Sequence, residues 1–143
     1  TGFTRFSSDI QKMNVFNKEN TVMKLKKMLD LVDAAEKILT DKNTDLDDFG
    51  RMLNYTWNLK RQTSSAVSTD NIDKLYTKGI TAGALGGKLL GAGGGGFLLF
   101  YVQSEYQDSV RQAMRDLMYI PFEFEDAGTR VIHYTPETYT LQK

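Results

Sequence analysis

The sequence predicts an α+β domain in which helices pack on one face of a mostly antiparallel sheet. Apolar residues recur at helical spacing in two successive segments between residues 21 and 61. A glycine-rich stretch at 91–96 is followed by the wholly apolar run 97–102, whose aromatic and branched side chains are typical of a buried strand. With the shorter elements, the predicted order is strand, helices, strand, strand, helix, strand, strand.

Two long helices are predicted in the first half of the chain. The first covers 21–40, and its apolar face opposes a lysine-rich, solvated face. The members of the apolar face are Val22, Leu25, Met28, Leu29, Val32, Ala35, Ile38 and Leu39. Thr44 or Asp45 can cap a second helix that reaches Arg61. Because a short polar loop joins the two helices, they form a helical hairpin.

The second half of the chain alternates short helices and strands. A third helix around 72–80 ends at Gly83. Ser104 and Gln107 form a capping box that opens a fourth helix, which extends to Met118. The remaining predicted strands cover 2–6, 122–125 and 129–134.

Composition excludes several classes of function. The 143 residues are enough for one domain with its own core. The absence of cysteine excludes disulfides and a thiol nucleophile, and the single histidine, His133, excludes a histidine cluster. Basic and acidic residues number 18 each, so no net charge attracts nucleic acid or an anionic membrane. We expect neither of those partners and no metal site, and we assign Asp45, Asp47 and Asp48 to a helix start.

Four successive glycines at 93–96 require an explanation, because glycine loses more backbone entropy on folding than any other residue. One explanation is a strained turn whose consecutive N–H groups form a concavity that suits phosphate. The other is a tight connection packed against a neighbouring segment. The glycines alone do not decide between them.

The residues from Gly86 to Phe97 resemble the third sequence motif of the GHMP sugar kinases, a family that includes galactokinase, homoserine kinase and mevalonate kinase. The longer segment from Ala82 to Phe100 most resembles heptose 7-phosphate kinases and the kinase part of fucokinases. Segments 1–8, 57–60 and 67–73 fit the same family. The resemblance covers nearly the whole chain, but only the carboxy-terminal half of the family.

The resemblance implies that residues 1–143 are the ferredoxin-like carboxy-terminal domain of a longer kinase, with an added helical hairpin. The family's main phosphate loop and catalytic residue lie in an amino-terminal domain, and we find neither in this chain. That domain is the implied partner and would bind most of the ATP and Mg²⁺. The chain alone is therefore expected to be inactive, no catalytic residue is assigned, and a homodimer stays open.

The implied reaction is transfer of the γ-phosphoryl group of ATP to a sugar or sugar phosphate in the cytoplasm. Heptose 7-phosphate, phosphorylated at its anomeric hydroxyl, is the first expectation for the acceptor, and fucose is the second. The rival from another class is a non-catalytic binding or regulatory module, a role that ferredoxin-like domains often serve.

The glycine motif supplies the first group of expected site residues. The resemblance implies that they support the nucleotide and its phosphate loop, and they are Lys88, Gly91, Ala92, Gly93, Gly94, Gly95 and Gly96. Lys88 has two interpretations: a cation that faces the cleft, or a strand lysine whose stem packs while its head stays in water.

The second group of expected residues would contact the acceptor. Its members are Arg5, Ser64, Ser65, Ser68 and Thr69. A hydroxyl-rich loop before a helix suits sugar hydroxyls or phosphate, yet Ser68 or Thr69 is also a natural helix cap. Arg5 would form either a bidentate phosphate contact or a structural salt bridge.

Overall fold

The computed structural model describes residues 18–64, 67–91 and 94–129. The elements in chain order are α1 (Lys18–Thr40), α2 (Asp47–Arg61), α3 (Asp70–Thr81), β1 (Ala84–Leu90), β2 (Phe97–Val102), a 3-10 turn (Ser104–Tyr106) and α4 (Gln107–Ala113). β1 and β2 pair antiparallel, from Ala84 opposite Val102 to Leu90 opposite Phe97. This arrangement confirms the α+β class. The predicted strand at 2–6 and residues 130–134 of the last predicted strand lie outside the described residues.

The predicted ends of the first three helices agree with the structure to within a few residues. α2 begins one or two residues later than expected: its N-cap is Leu46, and Asp45 Oδ1 accepts a hydrogen bond from the Asp47 N–H at 2.9 Å. α3 is capped by Thr69, whose hydroxyl accepts from the Ile72 N–H at 3.3 Å. These ends are predictable because capping is local chemistry.

The core lies where α2, α3 and β1 meet. It is built from Trp57, Val67, Ile72, Tyr76 and Leu89, all buried, with Ile80, Leu98 and Phe100 packed against them. The Tyr76 ring lies 5.8 Å from the Trp57 ring and 5.6 Å from the Phe100 ring. Trp57 is thus a core residue.

α2 packs directly against β1 through two glycines. A Cβ atom on Gly86 would lie 1.9 Å from the carbonyl oxygen of Gly50. A Cβ on Gly50 would in turn lie 2.6 Å from the Tyr101 ring. Only glycine at these positions permits the helix backbone to approach the strand this closely.

Two expectations about the apolar segments are wrong. β2 is a strand but is not buried: Phe97 is 63% exposed, and the other residues of the strand are half-buried. Residues 122–125 are exposed and form no strand, since no described strand pairs with them. The rings of Phe122 and Phe124 instead pack on each other, edge to face, at 5.7 Å.

The fourth helix is shorter than predicted. Ser104 opens a 3-10 turn without a side-chain cap, and α4 ends at Ala113. Only Val110 is buried in α4, while Leu117 and Met118 are exposed. Because helices in proteins depend on packing of an apolar face, the chain leaves the helix where that packing ends.

α1 also differs from its predicted packing. Thr21 is buried and the Lys24 ammonium donates to the Gln62 carbonyl at 2.9 Å, so α1 lies on α2 through the stripe that contains these residues. Most of the predicted apolar face is exposed instead. No helix in the described part of the chain has the length and apolarity to cross a membrane.

Candidate functional site

The glycine motif forms the turn between β1 and β2. Gly91, Gly94 and Gly96 have φ angles of 123°, 69° and 125°. A Cβ atom on Gly96 would lie 2.1 Å from the Leu90 carbonyl oxygen. Glycine is therefore required for the chain to close this turn. Ala92 and Gly93 lie outside the described residues.

The turn is held against the hydroxyl-rich loop. The Gly94 N–H donates to the carbonyl oxygen of Val67 at 3.2 Å, and Gly94 is buried. Val67 belongs to the core and also donates its N–H to the Ser64 carbonyl at 3.2 Å. The fold thus places the expected nucleotide-side turn beside the expected acceptor-side loop, although the two are well separated in sequence.

Two hydroxyls of the loop, those of Ser68 and Thr69, are engaged in the protein's own hydrogen bonds. Thr69 caps α3. The Ser68 hydroxyl lies 2.6 Å from Asp73 Oδ1 and donates to it. Ser64 is half-buried at the start of the loop, and Ser65 and Arg5 lie outside the described residues. The capping interpretation of Thr69 is therefore confirmed, while contact with an acceptor stays a prediction.

Arg61 is a candidate residue that the sequence analysis missed. Its guanidinium pairs with Asp73 Oδ2 at 2.5 Å, and both side chains are about one-third exposed. The pair joins the end of α2 to the first turn of α3. The signal that could have identified Arg61 is a helix-terminal cation directly before a hydroxyl-rich loop.

These residues line a polar pocket of about 440 Å³. Its walls are formed by Asn58, Arg61, Gln62, Ser64, Ser68, Thr69, Asp70 and Asp73. One guanidinium faces two carboxylates there, so the pocket carries a formal excess of negative charge. This balance suits neutral hydroxyl groups better than a phosphate, because like charges repel.

A buried tyrosine joins the elements that carry the site. The Tyr76 hydroxyl lies 3.0 Å from Asn54 Oδ1 and 3.4 Å from the Gly87 carbonyl oxygen, and it can donate to either. It thereby connects α3, α2 and β1. Burial raises the pKa of Tyr76, so its hydroxyl stays protonated and available as a donor.

Lys88 lies on β1 with its side chain exposed, while the adjacent Leu89 is buried. No ion pair holds its ammonium within the described residues. This exposure is compatible with both interpretations of Lys88, because the head is in water in either case.

The aspartates at the start of α2 have structural roles. Asp47 accepts from the Tyr101 hydroxyl at 3.3 Å and from the Gln103 side-chain amide. Asp48 pairs with Arg51 at 2.5 Å. Within 18–64, 67–91 and 94–129, no group of three His, Cys, Asp or Glu side chains is arranged to hold a metal ion.

Comparison with known proteins identifies relatives of this chain. A D-glycero-alpha-D-manno-heptose 7-phosphate kinase of Campylobacter jejuni is 37% identical over 71 residues, which are 48% of this chain and 21% of that enzyme. The crystal structure of L. major mevalonate kinase in complex with R-mevalonate superimposes with a TM-score of 0.65 at 24% identity, over 80% of this chain and 36% of that one. The second likeness shows the fold alone, and this chain spans well under half the length of either relative.

The family model described as GHMP kinases C terminal matches residues 31–120. The matched range covers most of the chain and contains α2, α3, the β1–β2 hairpin and α4 in full. The glycine turn and the hydroxyl-rich loop that it contacts both lie inside it. The chain belongs to the GHMP kinase family and corresponds to its carboxy-terminal domain.

Proposed function

We propose that this chain is the carboxy-terminal domain of an ATP-dependent kinase that phosphorylates a hydroxyl of a sugar or sugar phosphate. The observation that carries the proposal is the hydrogen bond from Gly94 to Val67, which joins the glycine turn to the loop of the polar pocket. Phosphoryl transfer needs two substrates held in line more than it needs covalent help from the protein. A turn and a pocket fixed to each other supply part of that positioning.

The polar pocket is the proposed acceptor site. Amide, guanidinium, hydroxyl and carboxylate groups converge there, and together they offer the donors and acceptors that match a polyol. Its negative excess favours sugar hydroxyls at this place, so the phosphate of a sugar phosphate would lie outside it. A heptose 7-phosphate is the proposed acceptor, which the heptose kinase relative supports.

ATP and Mg²⁺ fit the described residues only in part. The Gly94 N–H is used by Val67, so the turn would support the nucleotide site rather than bind phosphate through that group. Lys88 is the exposed cation three residues before the turn and is the group proposed to face the phosphates. The ion and most of ATP would be held by an amino-terminal domain of a longer cytoplasmic protein, a proposal that the match to the carboxy-terminal part of the family supports.

The test uses the complete gene product that contains this chain. We expect it to consume ATP with a heptose 7-phosphate, and Gly94→Val to lower kcat/KM at least about tenfold, because a β-branched residue resists positive φ and displaces the turn. The matched control is Gly128→Val, since Gly128 also has positive φ (65°) but has nothing within 4 Å of its added Cβ.

The outcomes separate the proposal from its rivals. Turnover of fucose in place of the heptose phosphate would support the proposed kinase activity and replace the proposed acceptor. No turnover with any sugar or sugar phosphate would favour a non-catalytic module. Equal kcat/KM for Gly94→Val and Gly128→Val would remove the glycine turn from the site, and strong turnover by the isolated 143-residue chain would contradict the split between two domains.

A further inference from the structure

An exposed apolar stripe runs along the outer side of α1. Its members are Val22, Leu25, Leu29, Val32 and Leu39, which range from 47% exposed at Leu25 to 68% exposed at Leu29. None of the described elements covers it, because α1 contacts α2 through a different stripe, which contains Thr21 and Lys24. Contiguous exposed apolar surface of this kind marks a contact site.

The stripe has the spacing of a coiled-coil seam. Its positions alternate three and four residues apart, at 22, 25, 29, 32, 36 and 39, and only position 36, a glutamate, is not apolar. This period keeps one seam on a single side of two paired helices. The stripe is about 26 Å long, which is enough for a helix–helix contact along most of α1.

Charge along α1 is divided between its two halves. The first half carries Lys18, Lys24, Lys26 and Lys27, and the second half carries Asp30, Asp33 and Glu36; Glu19 and Lys37 are the exceptions. Lys26 and Asp33 flank the seam on the same side and form no ion pair within the described residues. A helix with this pattern is complementary to an inverted copy of itself.

We propose that the α1 stripe is the interface with a second copy of this chain, with the two α1 helices paired antiparallel across a two-fold axis. The axis passes between Leu29 and Val32, and the seam positions then meet in three kinds of layer. Leu29 packs on Val32 of the second copy, and Val22 packs on its Leu39. Leu25 packs on the aliphatic stem of Glu36 of the second copy.

The charges select this orientation. In the antiparallel pair, Lys26 lies beside Asp33 and Glu36 of the second copy, and the two-fold axis repeats the contact. In a parallel pair, Glu36 would lie beside Glu36 in the seam, which is a repulsive contact, and Lys26 would lose its acidic partner. An isologous contact of this type closes into a dimer rather than a filament.

The first experiment measures the mass of the 143-residue chain by sedimentation equilibrium from low micromolar to submillimolar concentration. We expect a reversible dimer, and we expect Leu29→Glu to raise its Kd by about a hundredfold because it places two charges beside the axis. The control is Met23→Glu, which changes an exposed apolar residue of the same helix outside the stripe and should change the Kd less than about threefold.

A second experiment tests the orientation. The chain has no cysteine, so Val22→Cys and Leu39→Cys can be made separately and mixed in an oxidising glutathione buffer. The antiparallel pair yields a disulfide between the two variants and none within either variant alone. Lys26→Glu should weaken the dimer about tenfold at low salt, and adding Asp33→Lys should recover most of that loss.

Three results would overturn the inference. They are a monomer at all concentrations, equal weakening by Met23→Glu and Leu29→Glu, and a disulfide of Val22→Cys with itself. Circular dichroism of each variant confirms that α1 is still folded. Both experiments are independent of kinase activity, so they stand whether or not the proposed function holds.

Discussion

At the scale of single residues, Asp73 joins the parts of the polar pocket. Its carboxylate pairs with Arg61 and accepts from the Ser68 hydroxyl. Its N–H also donates to the Thr69 carbonyl at 2.9 Å. Asp73 therefore fixes both the cation and the loop, and the hydroxyls of Ser68 and Thr69 are oriented before any ligand binds.

Thr69 allows helix capping to be separated from ligand contact. Thr69→Ala should lower the free energy of unfolding by about 1 kcal/mol in urea titrations, because the Ile72 N–H loses its acceptor. Thr69→Asp should retain the cap and the stability. In the complete gene product, Thr69→Asp should raise the KM of the acceptor severalfold more than the KM of ATP, because a carboxylate replaces a pocket hydroxyl that can donate a hydrogen bond to the sugar.

The control for this residue is Asp70→Asn, which changes charge at the same helix start. Asp70 is exposed and caps nothing, so its loss should alter stability by less than about 0.5 kcal/mol. If Thr69→Asp leaves both KM values at the level of the unchanged protein, the loop caps α3 and has no contact with the acceptor.

At the scale of elements, the contact between α2 and β1 positions the pocket relative to the turn. α2 carries Asn58 and Arg61 of the pocket, and β1 leads into the glycine turn. Gly86→Ala should lower the free energy of unfolding by at least about 3 kcal/mol, because its methyl group would overlap the Gly50 carbonyl and force the two backbones apart. Urea or thermal unfolding measures the loss.

The control for this contact is Gly128→Ala. Its Cβ would meet no atom within 4 Å, so only the positive φ should cost stability, by about 1 kcal/mol. If Gly86→Ala is no more destabilising than this control, α2 and β1 are not in the close contact described.

The elements that the sequence predicts well are those defined by local chemistry. α3 has a threonine cap and a glycine at its end, and the glycine turn is followed by strand residues, so both are predicted close to their observed positions. The segment at 122–125 has the alternation of a strand but no described partner, and alternation alone does not create one. The prediction of which side of α1 packs is wrong for a similar reason. The apolar residues of α1 form two stripes, and only tertiary contact determines which of them is buried.

The residues of the site likewise divide into those that local sequence reveals and those that depend on tertiary contact. Gly94, Ser68 and Thr69 are found from the sequence because glycine and hydroxyl runs are visible motifs. Arg61 is missed because its role depends on an ion pair with Asp73, twelve residues later on another helix. No local pattern encodes a pairing of this kind, which arises from the angle between α2 and α3.

At the scale of the whole molecule, stability should depend on pH above neutrality through two tyrosines. Burial raises the pKa of Tyr76. Burial is the larger cause that raises the pKa of Tyr101. The second cause is the negative charge of Asp47, which accepts a hydrogen bond from the Tyr101 hydroxyl. In both cases the folded protein keeps a proton that the unfolded chain releases near pH 10. The stabilisation is therefore complete below that pH and is lost as pH rises through the folded pKa.

The free energy of unfolding should fall as pH rises from about 10, with each tyrosine contributing up to about 1.4 kcal/mol per pH unit. Urea titrations at several pH values between 9 and 11 measure this slope. Tyr76→Phe and Tyr101→Phe should each lower stability at pH 9, because hydroxyl bonds are lost, and each should also make the slope above pH 10 shallower. Tyr55→Phe, at an exposed position of α2, is the control and should leave the slope unchanged. A slope that none of the three variants alters would show that neither the Tyr76 nor the Tyr101 hydroxyl is linked to folding.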